Sequence, residues 1–150
     1  MDLFIAVVTV TVVGLMVGVE LSVAVVINPI LLNLPIGSMI AGRAHGARML
    51  GRLMPFWYIG SVLLAALLAV LTWGTATATA SLVAAVLLAV SVLMSILWLV
   101  PINDRSKTWT AENHPADWRD QQRRWDRLHY VRVTVIVAGL VMVAIASALL

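Results

Sequence analysis

The chain has 150 residues, of which 62% are hydrophobic and only 11% are charged. A mean hydropathy of +1.01 excludes an ordinary water-soluble domain, since such domains carry about 25% charged residues. The absence of cysteine excludes disulfide bonds, thiolate metal ligands, covalent haem attachment and a thiol nucleophile. The net charge of +3 is compatible with nucleic-acid binding, but the basic residues flank long apolar segments. We therefore expect contact with lipid headgroups and no nucleic-acid partner.

Four apolar segments are each long enough to cross a bilayer, which takes about 20 residues. They cover residues 3–34, 55–73, 81–100 and 130–150. In lipid, an uninterrupted apolar segment is expected to be helical, because its backbone polar groups must bond to one another. The sequence therefore predicts an all-α, integral membrane four-helix bundle that forms a single domain over residues 1–150.

All ten Lys and Arg residues fall within 43–52 or 105–132, directly after the first and the third apolar segments. Four crossings put these two stretches in the same compartment, and the positive-inside rule identifies that compartment as the cytoplasm. We therefore expect the cytoplasmic (inner) membrane as the location. Both termini are predicted to lie outside, and the fourth helix to extend into the cytoplasm.

The first segment contains a carboxylate in apolar surroundings. Glu20 lies about 27 Å from Asp2 on a helix that rises ~1.5 Å per residue. A carboxylate at that depth needs a counter-ion or a proton, and such residues usually face the interior of a bundle. Either a structural ion pair with Arg52 or Arg132, or a functional polar site, accounts for it. Small residues every four positions from 14 to 22 favour close helix packing and leave a homo-oligomer open.

The second helix is predicted to begin with an amphipathic stretch over residues 38–55. His45, Arg48 and Arg52 recur there at spacings of three and four, so they share one helical face. Asn28-Pro29 and Pro35 are predicted to mark where the first helix weakens and stops, and Pro101 to stop the third, because proline lacks the N–H that continues a helix.

A fourth helix is predicted from residue 115, and we expect it to continue unbroken from the cytoplasm into the membrane. Five of its residues step by four, three, four and three positions, which aligns them on one face. They are Trp118, Gln122, Trp125, His129 and Arg132.

Residue counts along the helices place polar side chains from all four of them in one layer near the cytoplasmic boundary. At about 1.5 Å per residue, they lie roughly 26–33 Å from the outer ends of their helices. The layer consists of Glu20, Arg52, Asn103, His129 and Arg132. Three tryptophans are positioned to cover it: Trp109, Trp118 and Trp125.

A metal is one interpretation of the polar layer. Glu20, His45 and His129 supply one carboxylate and two imidazoles, a set that suits iron, copper or zinc. Each residue comes from a different helix, so the sequence contains no local metal-binding motif. The cofactor therefore stays open between none and a single transition metal, copper or iron.

Motifs in the second half of the chain resemble those of a known family. Val100-Pro101-Ile102-Asn103 is followed by Trp109 and by residues 124–132, which read Arg-Trp-Asp-Arg-Leu-His-Tyr-Val-Arg. This order is similar to that of the anthrone oxygenase-like family of small four-helix membrane proteins. That family has Val-Pro-Leu-Asn after the third helix and Trp-x-x-x-His-Val-Arg entering the fourth. The chain departs from the pattern at Leu128 and Tyr130.

The resemblance implies an oxidoreductase or oxygenase that acts on a hydrophobic, anthrone-like aromatic substrate. Some members are linked to oxidation of anthrones to anthraquinones. Such chemistry needs a base, for which Glu20 and His129 are candidates, and groups that stabilise an oxyanion, for which Arg132 and Asn103 are candidates. Arg52 and the three tryptophans would bind a substrate that enters laterally from the bilayer.

A non-enzymatic interpretation stays open. The chain would then be an accessory or scaffold membrane subunit, with a buried ion-pair layer that locks the bundle and a helix over residues 115–129 that docks a partner. A cavity that contains Glu20, His129 and Arg132 favours an enzyme, whereas a tightly packed ion-pair cluster favours a scaffold.

Overall fold

The computed structural model describes all 150 residues and consists of four long helices without a strand. Helix α1 spans Asp2–Leu32, α2 spans Ile36–Leu71, α3 spans Ala76–Ser106 and α4 spans Trp118–Ala148. Each is long and apolar enough to cross a membrane. The predicted all-α fold with four spanning helices is therefore confirmed. The unbroken course of α4 is confirmed as well.

The helices form a ring in which each helix packs against its neighbours along the chain, and α1 closes the ring against α4. Short connections at residues 33–35 and 72–75 make successive helices antiparallel. Gly74 closes the second connection with a φ of +84°, a conformation that favours glycine. The longer loop, residues 107–117, lies at the end of the bundle that carries the basic residues.

Buried apolar side chains fill the middle of the bundle, where Met16, Leu88 and Ile136 are fully enclosed. Large apolar side chains also cover the outside; Phe4 and Phe56, for example, are 69% and 78% exposed. So much exposed apolar surface suits contact with lipid hydrocarbon rather than water.

Of the prolines predicted to stop a helix, Pro35 stands just beyond the end of α1, as expected, whereas the other two do not end a helix. Pro29 lies inside α1 and Pro101 inside α3, and both helices continue beyond them. Each proline follows a wide π-helical turn instead, at Val23–Ile27 in α1 and at Ser95–Leu99 in α3. The prediction was wrong because a locally wider turn accommodates a proline without ending the helix.

The two wide turns have the same construction: five residues in π geometry, one further residue, and then the proline. A proline donates no hydrogen bond, and its ring collides with the carbonyl group four residues earlier. Widening the turn by one residue moves that carbonyl group away. Because α1 and α3 are opposite each other in the ring, the two turns lie on opposite sides of the bundle.

Candidate functional site

A cavity of about 660 Å³ lies inside the half of the bundle that carries the basic residues. This volume falls within the roughly 300–1,000 Å³ that is usual for small-molecule sites. Residues of both wide turns, including Val23 and Ser95, line it. Its wall also includes Ile59 of α2 and Ile96 of α3, which are 53% and 59% exposed. The cavity therefore reaches the apolar outer surface between α2 and α3.

Glu20 and Arg132 form a buried ion pair in the wall of this cavity. The Nη2 atom of Arg132 donates to Oε2 of Glu20 over 2.5 Å, and Nη1 donates to the Ser95 hydroxyl over 2.8 Å. The guanidinium carbon also lies 5.3 Å from the centre of the Tyr58 ring. The pair joins α1 to α4, and its contacts with Ser95 and Tyr58 extend it to α3 and α2.

His129 packs behind the ion pair and does not line the cavity. Its Nε2 atom lies 3.2 Å from the backbone carbonyl oxygen of Glu20, which can only accept a hydrogen bond. Nε2 therefore carries the proton, and Nδ1 accepts from Nη2 of Arg132 over 3.0 Å. The imidazole stacks on Trp125 with ring centres 4.6 Å apart. Both ring nitrogens are thus engaged within the protein.

A second polar cluster lies in the same half of the bundle. Arg43 of α2 binds both carboxylate oxygens of Asp126 in α4, over 2.9 and 3.0 Å. Its Nη1 atom also donates to Oε1 of Gln122 over 2.5 Å, and Nδ2 of Asn28 donates to Asp126 over 3.1 Å. This cluster ties α1, α2 and α4 together, and Arg43, Asn28 and Gln122 line the cavity.

Some donor groups at the cavity wall have no protein partner. Among the residues that line it, four side-chain N–H or O–H groups are buried and unpaired: Arg43 Nε, Tyr58 Oη, Trp125 Nε1 and Arg132 Nε. The fully buried side-chain acceptors of the lining residues are all paired. The buried, unpaired side-chain groups of the wall are therefore all N–H or O–H groups.

The structure brings together most, but not all, of the residues in the predicted polar layer. Asn103 and Trp125 line the cavity with Glu20 and Arg132, whereas Arg52 is exposed and lies outside it. The other two tryptophans of the predicted cover pack against the start of α2 and do not line the cavity. These are Trp109 and Trp118, which contact Met39 and Ile40.

The metal-ligand set predicted from the sequence is not formed. Glu20 and His129 are buried, whereas His45 is exposed, and no three His, Asp or Glu side chains converge on one point. The face of α2 that carries His45, Arg48 and Arg52 is the exposed one. The buried cation of this stretch is Arg43.

Sequence reasoning missed Arg43, Asp126 and Tyr58. Asp126 follows Gln122 by four positions and precedes His129 by three, so the helical spacing used for α4 contained the signal. Tyr58 follows Phe56 and Trp57 in an aromatic group of the kind that occurs at headgroup boundaries, and nothing in its spacing separates it from these neighbours.

The fold and the site define a class: a small bundle of four membrane-spanning helices around an internal cavity with a buried carboxylate–guanidinium pair. The family model described as anthrone oxygenase matches residues 49–142, which is more than half of the chain. The chain belongs to the anthrone oxygenase family. The match includes Tyr58, Asn103 and Arg132, while Glu20 and Arg43 precede it. No curated protein and no solved structure matches the chain.

Proposed function

We propose that the protein oxidises a hydrophobic, anthrone-like aromatic substrate inside the cavity between its four helices. Membership of the anthrone oxygenase family supports an oxygenase-like function. The observation that carries the proposal is the Glu20–Arg132 pair in the wall of a largely apolar cavity. Such a pair combines a proton acceptor with a fixed cation in surroundings where electrostatic interactions are strong.

The reaction proceeds in balanced steps. Glu20 takes a proton from the CH₂ group opposite the substrate carbonyl, and the electron pair moves to the carbonyl oxygen. The enolate carbon then transfers electrons to O₂ and forms a C–O bond, and the proton held by Glu20 passes to the resulting peroxide. Loss of water gives the quinone. In total, one anthrone and one O₂ give one quinone and one water.

Arg132 fits this charge movement. Proton transfer moves one negative charge from Glu20 to the substrate oxygen, so the net charge of the cavity does not change. Arg132 already donates to Glu20 through Nη2, and its unpaired Nε–H belongs to the same cavity wall. A preorganised cation of this kind stabilises charge in the transition state more than in the ground state.

Glu20 fits the role of base better than His129 does. The Nδ1 lone pair of His129 points at the guanidinium group of Arg132, and Nε2–H is held by the Glu20 carbonyl group. Protonation of Nδ1, which also lies 3.5 Å from Oε2 of Glu20, would break its hydrogen bond with Arg132. We therefore propose that His129 positions Arg132, while Asn103 is a further polar contact for the substrate.

The cavity favours an enzyme over the scaffold alternative, because a purely structural ion-pair layer needs no space beside it. Ile59 and Ile96 at the outer surface suit lateral entry of a lipid-soluble substrate from the bilayer. The second cluster, around Arg43 and Asp126, is the part of the molecule that the scaffold interpretation explains well.

Purified protein in detergent micelles is expected to increase the rate of O₂ uptake with anthrone above that of protein-free micelles. Ile96→Trp should lower kcat/KM, because the larger side chain obstructs the cavity between α2 and α3. Its neighbour Leu97 is similarly exposed, at 61%, but does not line the cavity, so Leu97→Trp is the matched control and should match wild type. If wild type equals protein-free micelles across a panel of anthrones, the scaffold interpretation replaces the proposal.

The proposal includes an orientation in the cytoplasmic membrane, with both termini outside. Because the chain contains no cysteine, single cysteines at exposed positions give an unambiguous label. Trp73→Cys, at the α2–α3 connection, should react with an impermeant maleimide in intact cells. Glu112→Cys, in the loop before α4, should react only after the cells are broken. The reverse pattern would contradict this orientation.

A further inference from the structure

Two of the unpaired donors are carried by aromatic side chains: the Tyr58 hydroxyl and the Trp125 indole N–H. Tyr58 is only 4% exposed, and both atoms are buried without a hydrogen bond to the protein; the Tyr58 hydroxyl lies near the Glu20 carboxylate. A buried polar group without a partner is costly, at about 1–3 kcal/mol, so it usually has an explanation such as a ligand. Both residues line the cavity.

Both rings are held in place by the polar cluster. The guanidinium group of Arg132 lies over the Tyr58 ring at 5.3 Å, and the Trp125 ring stacks on His129 at 4.6 Å with an 18° angle between the planes. Arg132 and His129 are themselves joined by a 3.0 Å hydrogen bond. The two donors therefore belong to one rigid group of side chains from α2 and α4.

We infer that Tyr58 and Trp125 are ligand-binding residues that donate hydrogen bonds to oxygen atoms of the molecule in the cavity. These two buried donors then select ligands by their acceptors. A planar aromatic with carbonyl or oxyanion groups is bound, whereas a hydrocarbon of the same shape lacks the acceptors that these donors need. This inference rests on the proposed function only for the identity of the site, because it concerns binding and not turnover.

Equilibrium binding with two ligands of the same ring frame tests the inference. The probes are anthracene, which has no acceptor and is fluorescent, and 9,10-anthraquinone, which has two carbonyl groups and displaces it. Wild-type protein in micelles should bind the quinone more tightly than anthracene. Tyr58→Phe and Trp125→Phe should each weaken quinone binding by about 3–10-fold, as expected for one hydrogen bond, and leave anthracene binding unchanged.

Two further variants are matched controls. Tyr130→Phe removes a hydroxyl that donates to the Ala24 carbonyl group over 2.8 Å, and Trp57→Phe removes an N–H that donates to the Val12 carbonyl group over 2.9 Å. Neither residue lines the cavity, so the preference for the quinone should stay as in wild type. Because the Tyr58 hydroxyl has no protein partner, Tyr58→Phe is expected to remain folded.

The outcomes separate this inference from the proposed function. Selective quinone binding that Tyr58→Phe reduces, in a protein that does not accelerate anthrone oxidation, supports the inference and contradicts the proposed function. Anthracene binding as tight as quinone binding, or an unchanged preference in both Tyr58→Phe and Trp125→Phe, overturns the inference even if the protein oxidises anthrones.

Discussion

Glu20→Ala is expected to lower the free energy of unfolding by about 3–5 kcal/mol, because Arg132 would remain buried without its counter-ion. Glu20→Gln keeps an oxygen that accepts from Nη2 of Arg132, so this variant should fold and be less destabilised. Both variants lack the proton acceptor and should lose the gain in anthrone oxidation, about 10²–10⁴-fold for a positioned base. Unfolding in micelles followed by circular dichroism, together with O₂ uptake, measures the two effects.

A double variant separates the unpaired charge from other effects of Glu20→Ala. When Glu20→Ala is combined with Arg132→Met, neither position carries an unpaired buried charge. Much of the lost stability should then return. If Glu20→Ala alone is as stable as wild type, the buried Glu20–Arg132 pair does not contribute to the free energy of unfolding as expected. If Glu20→Gln oxidises anthrone at the wild-type rate, Glu20 is not the base.

Asp126→Leu is expected to cost about 3 kcal/mol, since it leaves Arg43 buried with only Gln122 as an acceptor. Asp126→Leu combined with Arg43→Met should recover most of this loss, because apolar side chains of similar size can replace a buried ion pair. The free energy of unfolding in micelles measures both changes.

The same helix offers a matched control. Asp120 pairs with Arg123, and both side chains are about 70% exposed, at 72% and 69%. Exposed pairs contribute little, so Asp120→Leu should change the stability far less than Asp126→Leu does. Equal effects at the two positions would show that the buried Arg43–Asp126 pair stabilises the packing of α2 against α4 no more than an exposed pair would.

The four helices could be predicted from the sequence because their apolar length and the clustering of basic residues are strong signals. The ion pair of Glu20 was predicted with either Arg52 or Arg132, and the structure selects Arg132. Counting residues could not decide this, since depth along a helix says nothing about which side of the helix a residue faces. The spacing in α4 did supply the face, and His129 and Arg132 both lie on it.

On α2, the spacing of the basic residues does not identify the buried face of the helix. Three basic or imidazole side chains share one face of this helix, and that face is exposed, while the single Arg43 is buried. Long cationic side chains reach water from many positions near a membrane boundary, so their spacing does not identify the inner face. Only the partner, Asp126 on a helix more than 80 positions away in the chain, distinguishes Arg43.

The wide turns have a consequence for the angular positions of residues along α1 and α3. In a regular helix, two residues eight positions apart differ by about 80° around the axis, so they face different neighbours. One extra residue in the turn compensates most of this angle. Glu20 and Asn28 are separated by eight positions across the turn of α1, Ser95 and Asn103 by eight across that of α3, and all four line the cavity. A constant helical period read along either sequence therefore loses phase at the turn, and it places the second polar residue of each helix about 80° away from the first.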